Sequence, residues 1–326
     1  MNYFLAKVPI AFLTLLFVAT LCFLLTKAAG EEAAFGEKSP SPEIRAEIER
    51  KWGLNRPIHE QYFLHMSKLL VLDSMESRKQ KGRTLRDVLA QHLPWSLRLG
   101  ARALLLAVML GVPIGVMCAV YHNRWADNVG TLTALMGVSM PSFILSSFAL
   151  FLFTAVLGWR AIAWGEPIYL FGAPTEGMNP VLAAIYTELS RWRLWIPAMC
   201  LGAFPFAAIM RLTRSSMLDA LQQDYVRTAR AKGVSPLRVV GLHALRNALT
   251  PVITYIGPVS AGILTGSLVV EKIFYISGIG RFFVDSVANR DMPLIMGLTV
   301  FYSALLISMN LLVDAIYPIL NPRLRG

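Results

Sequence analysis

The sequence predicts an all-α integral membrane protein with six transmembrane helices, and three observations favour this fold class. Hydrophobic residues make up 55% of the 326 residues and charged residues only 16%, whereas soluble domains are about a quarter charged. The mean hydropathy is +0.53. The apolar residues form six blocks, each close to the ~20 residues that a helix needs to cross hydrocarbon. Most basic residues lie between these blocks or at their ends, as membrane topology requires.

The first apolar block runs from Val8 to Leu25. A cleavable signal peptide is the alternative interpretation, because Ala28-Ala29-Gly30 supplies small residues for processing. The apolar run is longer than the ~7–15 residues of a signal peptide's central region. We therefore expect an uncleaved first transmembrane helix within residues 1–27.

A polar insertion of mixed charge follows in residues 28–95. It contains an amphipathic stretch from Ile58 to Leu72, and it is too poor in apolar residues to form a large independent domain. We expect a small extracytoplasmic cap on one face of the membrane.

Residues 96–326 carry the other five apolar blocks and are expected to form a five-helix membrane core. The blocks are Leu97–Tyr121, Val129–Leu157, Leu194–Leu212, Val252–Val270 and Leu294–Ile319.

The distribution of Lys and Arg predicts the orientation of the chain. The loops that lie inside when the N-terminus is inside are rich in Arg and poor in acids, above all residues 213–250. The insertion also carries basic residues, but acids nearly balance them, and long segments translocate largely regardless of charge. Both termini are therefore expected in the cytoplasm.

The loop 213–250 has the pattern of a helix, a stop and a second helix. Ala229 to Lys232 are good helix formers, and Gly233 stands where a left-handed residue would end a helix. Ser235 and Pro236 have the residue types of an N-cap and a first helical position. A short helix of this kind could dock in a groove of a soluble partner and transmit its motion. From the residues alone, an ordinary solvated basic loop is equally consistent with the pattern.

The same loop resembles the cytoplasmic signature loop of ABC importer permeases. Tyr225 to Gly233 and His243 to Ala248 are similar to the oligopeptide/dipeptide branch nearly residue for residue. The general family pattern has Glu-Ala-Ala where this chain has Arg227-Thr228-Ala229, so the family's acidic position is not matched.

Further matches to that branch occur in the same order along most of the chain. They are Trp52–Ile58, His92–Leu97, Gly278–Arg281 with Arg290–Pro293, and Asn321–Arg323, the last with Asn for the family's Asp.

The resemblance implies a type I ABC importer permease in the lipid bilayer of a bacterial inner membrane, driven by ATP and carrying peptides or similar small solutes. Residues 96–326 would then be its five-helix permease core, with residues 213–250 as the cytoplasmic coupling loop. It also implies a second homologous permease subunit, two cytoplasmic ABC ATPase subunits and an extracytoplasmic substrate-binding protein. ATP would be bound by the partner subunits, so no cofactor, catalytic residue or metal site is expected in this chain. The residues that it assigns to the ATPase-coupling loop are Asp224, Tyr225, Arg227, Thr228, Ala229, Arg230, Ala231, Lys232, Gly233 and Pro236.

Four small or kink-forming residues are candidates for the translocation path: Ser139, Pro141, Ser142 and Ser146, at the expected opening of the third helix. Residues of this kind can face a lumen or let helices pack closely, and the sequence does not separate the two. The sequence does not identify the cargo either, because peptide permeases resemble those for nickel, glutathione and other small solutes.

Other function classes fit less well. An ion-coupled secondary transporter, the main alternative, usually needs ionisable groups inside the membrane, and the centres of the apolar blocks lack chains of them. An enzyme is not expected, because the run His59 to Phe63 begins like a zinc-protease motif but ends in Phe where His is required. A nucleic-acid partner is not expected, because the net charge of +11 resides in loops and helix ends.

Overall fold

The computed structural model describes residues 2–28, 43, 49–50, 53, 55–70, 75–77, 82–156, 194–264 and 266–320, without the side chains of residues 2–6, 313 and 315–320. Within these ranges every regular element is a helix, apart from one isolated antiparallel bridge between Glu76 and Thr84. The predicted all-α fold is confirmed.

Twelve α-helices and two π-helical turns are described. The helices are α1 (Asn2–Ala28), α2 (Ile58–Leu70), α3 (Leu85–Val120), α4 (Trp125–Ser139), α5 (Ser142–Phe151), α6 (Trp195–Leu221), α7 (Asp224–Ala231), α8 (Pro236–Arg238), α9 (Leu245–Leu264), α10 (Leu268–Ile273), α11 (Ile279–Ala288) and α12 (Met292–Leu320). The π-helical turns are Leu152–Val156, after α5, and Val239–Ala244, between α8 and α9.

Five stretches of the described chain are long and apolar enough to cross a membrane, and α4 with α5 makes a sixth if the bent pair is one span. The five are Lys7–Ala28, Leu85–Val120, Trp195–Leu221, Pro236–Ile273 and Met292–Leu312. Each of the six predicted apolar blocks therefore falls largely on a candidate span.

The third apolar block differs from the expected continuous helix, because the helix axis changes direction by 101° between α4 and the segment Ser142–Val156. Pro141 lacks an N–H group, and a proline disfavours helical geometry in the residue before it. Met140 accordingly has extended backbone angles, with φ −97° and ψ 119°. The segment from Ser139 to Ser142, expected at the opening of the third helix, thus lies at the bend between α4 and α5.

The second span begins twelve residues earlier than its apolar block. Thr84 and Asp87 form a reciprocal cap at the start of α3: the Asp87 N–H donates to Thr84 Oγ1 at 3.2 Å, and the Thr84 N–H donates to Asp87 Oδ2 at 3.0 Å. Leu85, Val88 and Leu89 then bury one face of the added turns. The helix therefore includes residues that hydropathy alone assigns to a polar insertion.

One compact unit comprises Met1–Trp95 and Ser277–Leu312. Its apolar core contains Phe23, from α1, and residues of α3, α11 and α12. Tyr62 of α2 is joined to Thr20 of α1 by a hydroxyl–hydroxyl hydrogen bond of 2.9 Å, and its ring meets that of Phe23 edge to face at 5.5 Å. These contacts bind α2 to the first span.

A second compact unit comprises Ser96–Ile276 and Val313–Gly326. Its central helix is α6, which packs against α4, α5 and α9. A Cβ added at Gly115 of α3 would lie 2.6 Å from the carbonyl oxygen of Met210 and 2.7 Å from Cβ of Thr213. Glycine therefore allows α3 to approach the backbone of α6 closely, as small residues do between membrane helices.

Candidate ATPase-coupling site

The helix α7 ends in a turn that requires glycine. Gly233 has φ +76°, its N–H donates to the Arg230 carbonyl at 3.0 Å, and the Val234 N–H donates to the Ala229 carbonyl at 3.2 Å. This pair of bonds is a Schellman motif, which satisfies the last helical carbonyls through a left-handed residue. The predicted left-handed stop at Gly233 is confirmed.

The chain restarts as predicted, with Ser235 at the N-cap and Pro236 at the first helical position of α8. The Ser235 hydroxyl makes no capping hydrogen bond, whereas its carbonyl accepts from the Val239 N–H at 3.0 Å. Leu237, the second residue of α8, is 87% exposed. A three-residue α8 followed by a π-helical turn changes the helical period, so the α-helical spacing from Leu237 does not continue.

Two buried side chains fix α7 on the body of its unit. Val226 and Ala229 lie three residues apart, on one face, and join the cluster that contains Met217 and Val239. Ala229, which the resemblance assigns to the coupling loop, is only 7% exposed and packs within this cluster. Ala229 is small because α7 lies close to the chain's own helices.

The opposite face of α7 and its turn is exposed and basic. All the predicted coupling residues other than Ala229 lie at the surface: Asp224, Tyr225, Arg227, Thr228, Arg230, Ala231, Lys232, Gly233 and Pro236. Asp224 and Arg227 approach to 3.6 Å, but at 97% and 72% side-chain exposure such a pair contributes little to stability. The exposed face therefore combines positive charge with the apolar groups of Tyr225 and Leu237.

A groove beside α7 was not predicted from the sequence. It is lined by the end of α6, at Asp219, and by Gln223, Tyr225, Leu242 and Arg246 among others. Residues more than twenty positions apart thus share one surface with the coupling helix, which the spacing of residues in a loop does not reveal.

An ion pair between distant residues anchors α6, the helix that leads into α7. Arg214 donates from Nε to Asp127 Oδ1 at 2.6 Å and from Nη2 to Asp127 Oδ2 at 2.8 Å. Asp127 is 2% exposed and also accepts from the Asn123 N–H at 3.0 Å. A bidentate pair of this kind sets both distance and orientation, so it holds the start of α4 against α6.

The four candidate path residues do not share one exposed face. Ser139 and Pro141 are exposed at the bend, Ser142 is half-buried, and Ser146 is fully buried on α5 with Ala149. The buried position of Ser146 favours close helix packing for that residue. Elsewhere in the described ranges, no three His, Cys, Asp or Glu side chains are grouped so that they could hold a metal ion.

Comparison with known proteins decides the family. Residues 111–326, about two thirds of the chain, match the family described as the inner membrane component of binding-protein-dependent transport systems. The chain belongs to this family.

Curated relatives match over nearly their full length. The dipeptide transport system permease protein DppB of Bacillus subtilis is 38% identical over 96% of this chain and 94% of its own length. The oligopeptide transport system permease protein OppB of Salmonella typhimurium is 36% identical over 96% and 95%. The glutathione transport system permease protein GsiC of Salmonella choleraesuis is 35% identical over 100% and 99%.

Family membership confirms the main functional prediction. The chain is a multi-pass inner membrane protein and a permease subunit of an ABC importer, and it is not an enzyme. Permeases of this family work with ATPase and binding-protein partners. The comparisons do not favour the ion-coupled alternative.

Proposed function

We propose that this chain imports peptides or similar small solutes as one of two homologous permease subunits, which together enclose the translocation path. The three relatives described above are named for dipeptide, oligopeptide and glutathione transport, and glutathione is itself a small peptide. Small molecules with amide bonds are therefore the cargo class that these names share.

The proposed orientation places both termini and α7 in the cytoplasm and residues 28–95 outside. The exposed Arg227, Arg230 and Lys232 support this orientation, because loops on the cytoplasmic side carry an excess of basic residues. Two ABC ATPase subunits would then dock on this chain and on its homologous partner, and a substrate-binding protein would dock on the other side. ATP would be bound by the ATPases, and this chain would hold no cofactor.

This proposal is carried by one observation: α7 is ended by the Gly233 turn and is anchored to its unit by buried side chains. Gln222 and Gln223 alone separate α7 from α6, and the turn from Gly233 to Ser235 leads directly into the fifth span. Short connections leave little slack, so a displacement of α7 by an ATPase would move α6 and α9 with it. Val226 and Ala229 seat α7 on the body, while its basic face is left for the partner.

The test is co-purification of the tagged chain with its partner permease and ATPases, followed by an assay of ATP hydrolysis. Replacing both Arg227 and Arg230 with Glu is expected to abolish recovery of the ATPase, because it reverses the charge of the docking face. Arg124→Ser is the matched control, since Arg124 is exposed, precedes α4 and makes no side-chain cap. The control should recover the ATPase as wild type does.

Two results would contradict the proposal. One is an undiminished recovery of the ATPase by the charge-reversed variant, which would place the docking surface elsewhere. The other is transport by the isolated chain in vesicles under an ion gradient, which would instead support a secondary transporter.

A further inference from the structure

A second cavity lies wholly within the unit that contains α1, α2, α11 and the start of α3. Its volume is about 340 Å³, near the lower end of the ~300–1,000 Å³ that small-molecule sites occupy. The described residues that line it come from two parts of the chain almost two hundred positions apart: Ser77, Arg83 and His92 on one side, and residues between Ser277 and Leu294 on the other. In the proposed orientation the first part lies outside, and the second follows the fifth span and reaches the start of the sixth. Its charged lining residues are of both signs: Arg83, Arg281, Asp285 and Asp291.

The cationic wall of this cavity is held in place by Arg83. Its Nη2 lies 2.8 Å from His92 Nε2, and its guanidinium carbon stands 5.0 Å from the centre of the Phe282 ring. His92 Nδ1 lies 2.7 Å from the Ser277 carbonyl oxygen, which can only accept, so Nδ1 donates there and Nε2 accepts from Arg83. The imidazole also stacks on Phe282 at 5.0 Å. Arg83 is therefore positioned before any ligand arrives.

The anionic wall contains one buried carboxylate, Asp291, and one partly exposed carboxylate, Asp285. Asp291 is 3% exposed and accepts a hydrogen bond from the Ser77 hydroxyl, so it holds the two segments together. Asp285 is 43% exposed, and its carboxylate lies 3.7 Å from Arg281, which is itself partly exposed. Ion pairs at this exposure contribute about 0–1 kcal/mol. Their pairing with each other is therefore weak, and both charged groups are partly accessible from the cavity that they line.

We propose that this cavity binds a small zwitterionic peptide, with the peptide carboxylate on Arg83 and Arg281 and the peptide ammonium group on Asp285. The proposal rests on the peptide cargo and the orientation given above, and it adds a peptide-binding site in the extracytoplasmic part of the permease. Guanidinium groups bind carboxylates through paired, charge-assisted hydrogen bonds. A ligand with a single charge would satisfy only one wall.

The experiment is calorimetric titration of the purified full-length chain with alanyl-alanine and two blocked forms of it, N-acetyl-alanyl-alanine and alanyl-alanine amide. Each block removes one terminal charge. Because a hydrogen bond to a charged group contributes about 1.5–3 kcal/mol, each block is expected to weaken binding by about tenfold or more.

Variants assign each end of the peptide to its wall. Asp285→Asn should bind alanyl-alanine and its N-acetyl form with nearly equal affinity. Arg83→Gln should distinguish alanyl-alanine from its amide less than the wild-type chain does, because only Arg281 remains for the carboxylate. Arg86→Gln is the control, because Arg86 is exposed on the same stretch of chain and does not line the cavity. It should keep the wild-type preference for the unblocked dipeptide.

Equal affinities of the wild-type chain for the free and blocked dipeptides would overturn the proposal, as would the absence of alanyl-alanine binding. Neither result depends on whether a variant folds. If the ATPase still co-purifies with this chain when the titration fails, the permease function stands and only the peptide site is lost.

Discussion

Replacing Gly233 with Val should uncouple the permease from its ATPase with little effect on the membrane-spanning core. Gly233 has φ +76°, and a Cβ added there would meet nothing within 4 Å, so the substitution acts through the backbone alone. A left-handed conformation costs an L-residue about 1–2 kcal/mol. At 1.4 kcal/mol per factor of ten, the ratio of chains with a closed α7 turn to chains in competing conformations should fall about 5- to 30-fold.

The assay is the ATPase co-purification described above, with a thermal unfolding measurement on the same samples. Gly233→Asn should retain more ATPase than Gly233→Val, because Asn tolerates the left-handed region better. Gly241 supplies the matched control: it lies in the same loop, a Cβ there would also meet nothing within 4 Å, and its φ is not positive. If Gly241→Val reduced ATPase recovery as much as Gly233→Val, the left-handed turn would not be the cause.

Three further substitutions test the packing of the second unit by thermal unfolding in detergent. Asp127→Asn should cost about 3 kcal/mol, because it leaves Arg214 without its carboxylate, and the 26% side-chain exposure of Arg214 keeps the loss at the low end for such pairs. Gly115→Ala should cost about 1–3 kcal/mol, because its Cβ would overlap the backbone of α6. Ser96→Ala should cost about 1.5–3 kcal/mol, because the fully buried Glu271 loses a hydroxyl that donates to it at 2.8 Å.

Each of these has a control of the same chemistry. Asp219→Asn changes an exposed carboxylate on α6, and Ser147→Ala removes an exposed hydroxyl that bonds only within its own helix. Gly262→Ala adds a Cβ that would meet nothing within 4 Å, so it should be neutral or stabilising. If a control lost as much stability as its test variant, the named contact would not be the cause of the loss.

Local signals predicted the parts of the structure that depend on neighbouring residues. Gly233 and Pro236 could be assigned because a left-handed stop and a first helical position each demand a particular residue type. The apolar blocks marked the spans because hydrocarbon requires about 20 apolar residues. The start of α3 was missed, because a helix can continue into water once a cap such as Thr84 with Asp87 satisfies its end.

Contacts between distant residues could not be predicted from one sequence. Asp127 and Arg214 are 87 positions apart, and nothing near either residue indicates the other. The inward face of Ala229 was equally hidden, because α7 offers two faces and only packing decides which one is buried. The cavity lined by Arg83 and Asp285 requires two distant parts of the chain to meet, which is a property of the fold rather than of either part.

The bend at Met140 has a mechanical consequence for the surrounding bilayer. Each arm, Trp125–Ser139 and Ser142–Val156, is about 22 Å long at 1.5 Å per residue, so a 101° bend leaves the far ends about 28 Å apart. That separation nearly matches a hydrocarbon thickness of about 30 Å, while the elbow stands about 17 Å to one side. A straight helix meets a thinner bilayer by tilting. If α4 and α5 form one span, its end-to-end length depends on the bend angle as well as on tilt, so a sharper bend at Pro141 would shorten it to match a thinner bilayer.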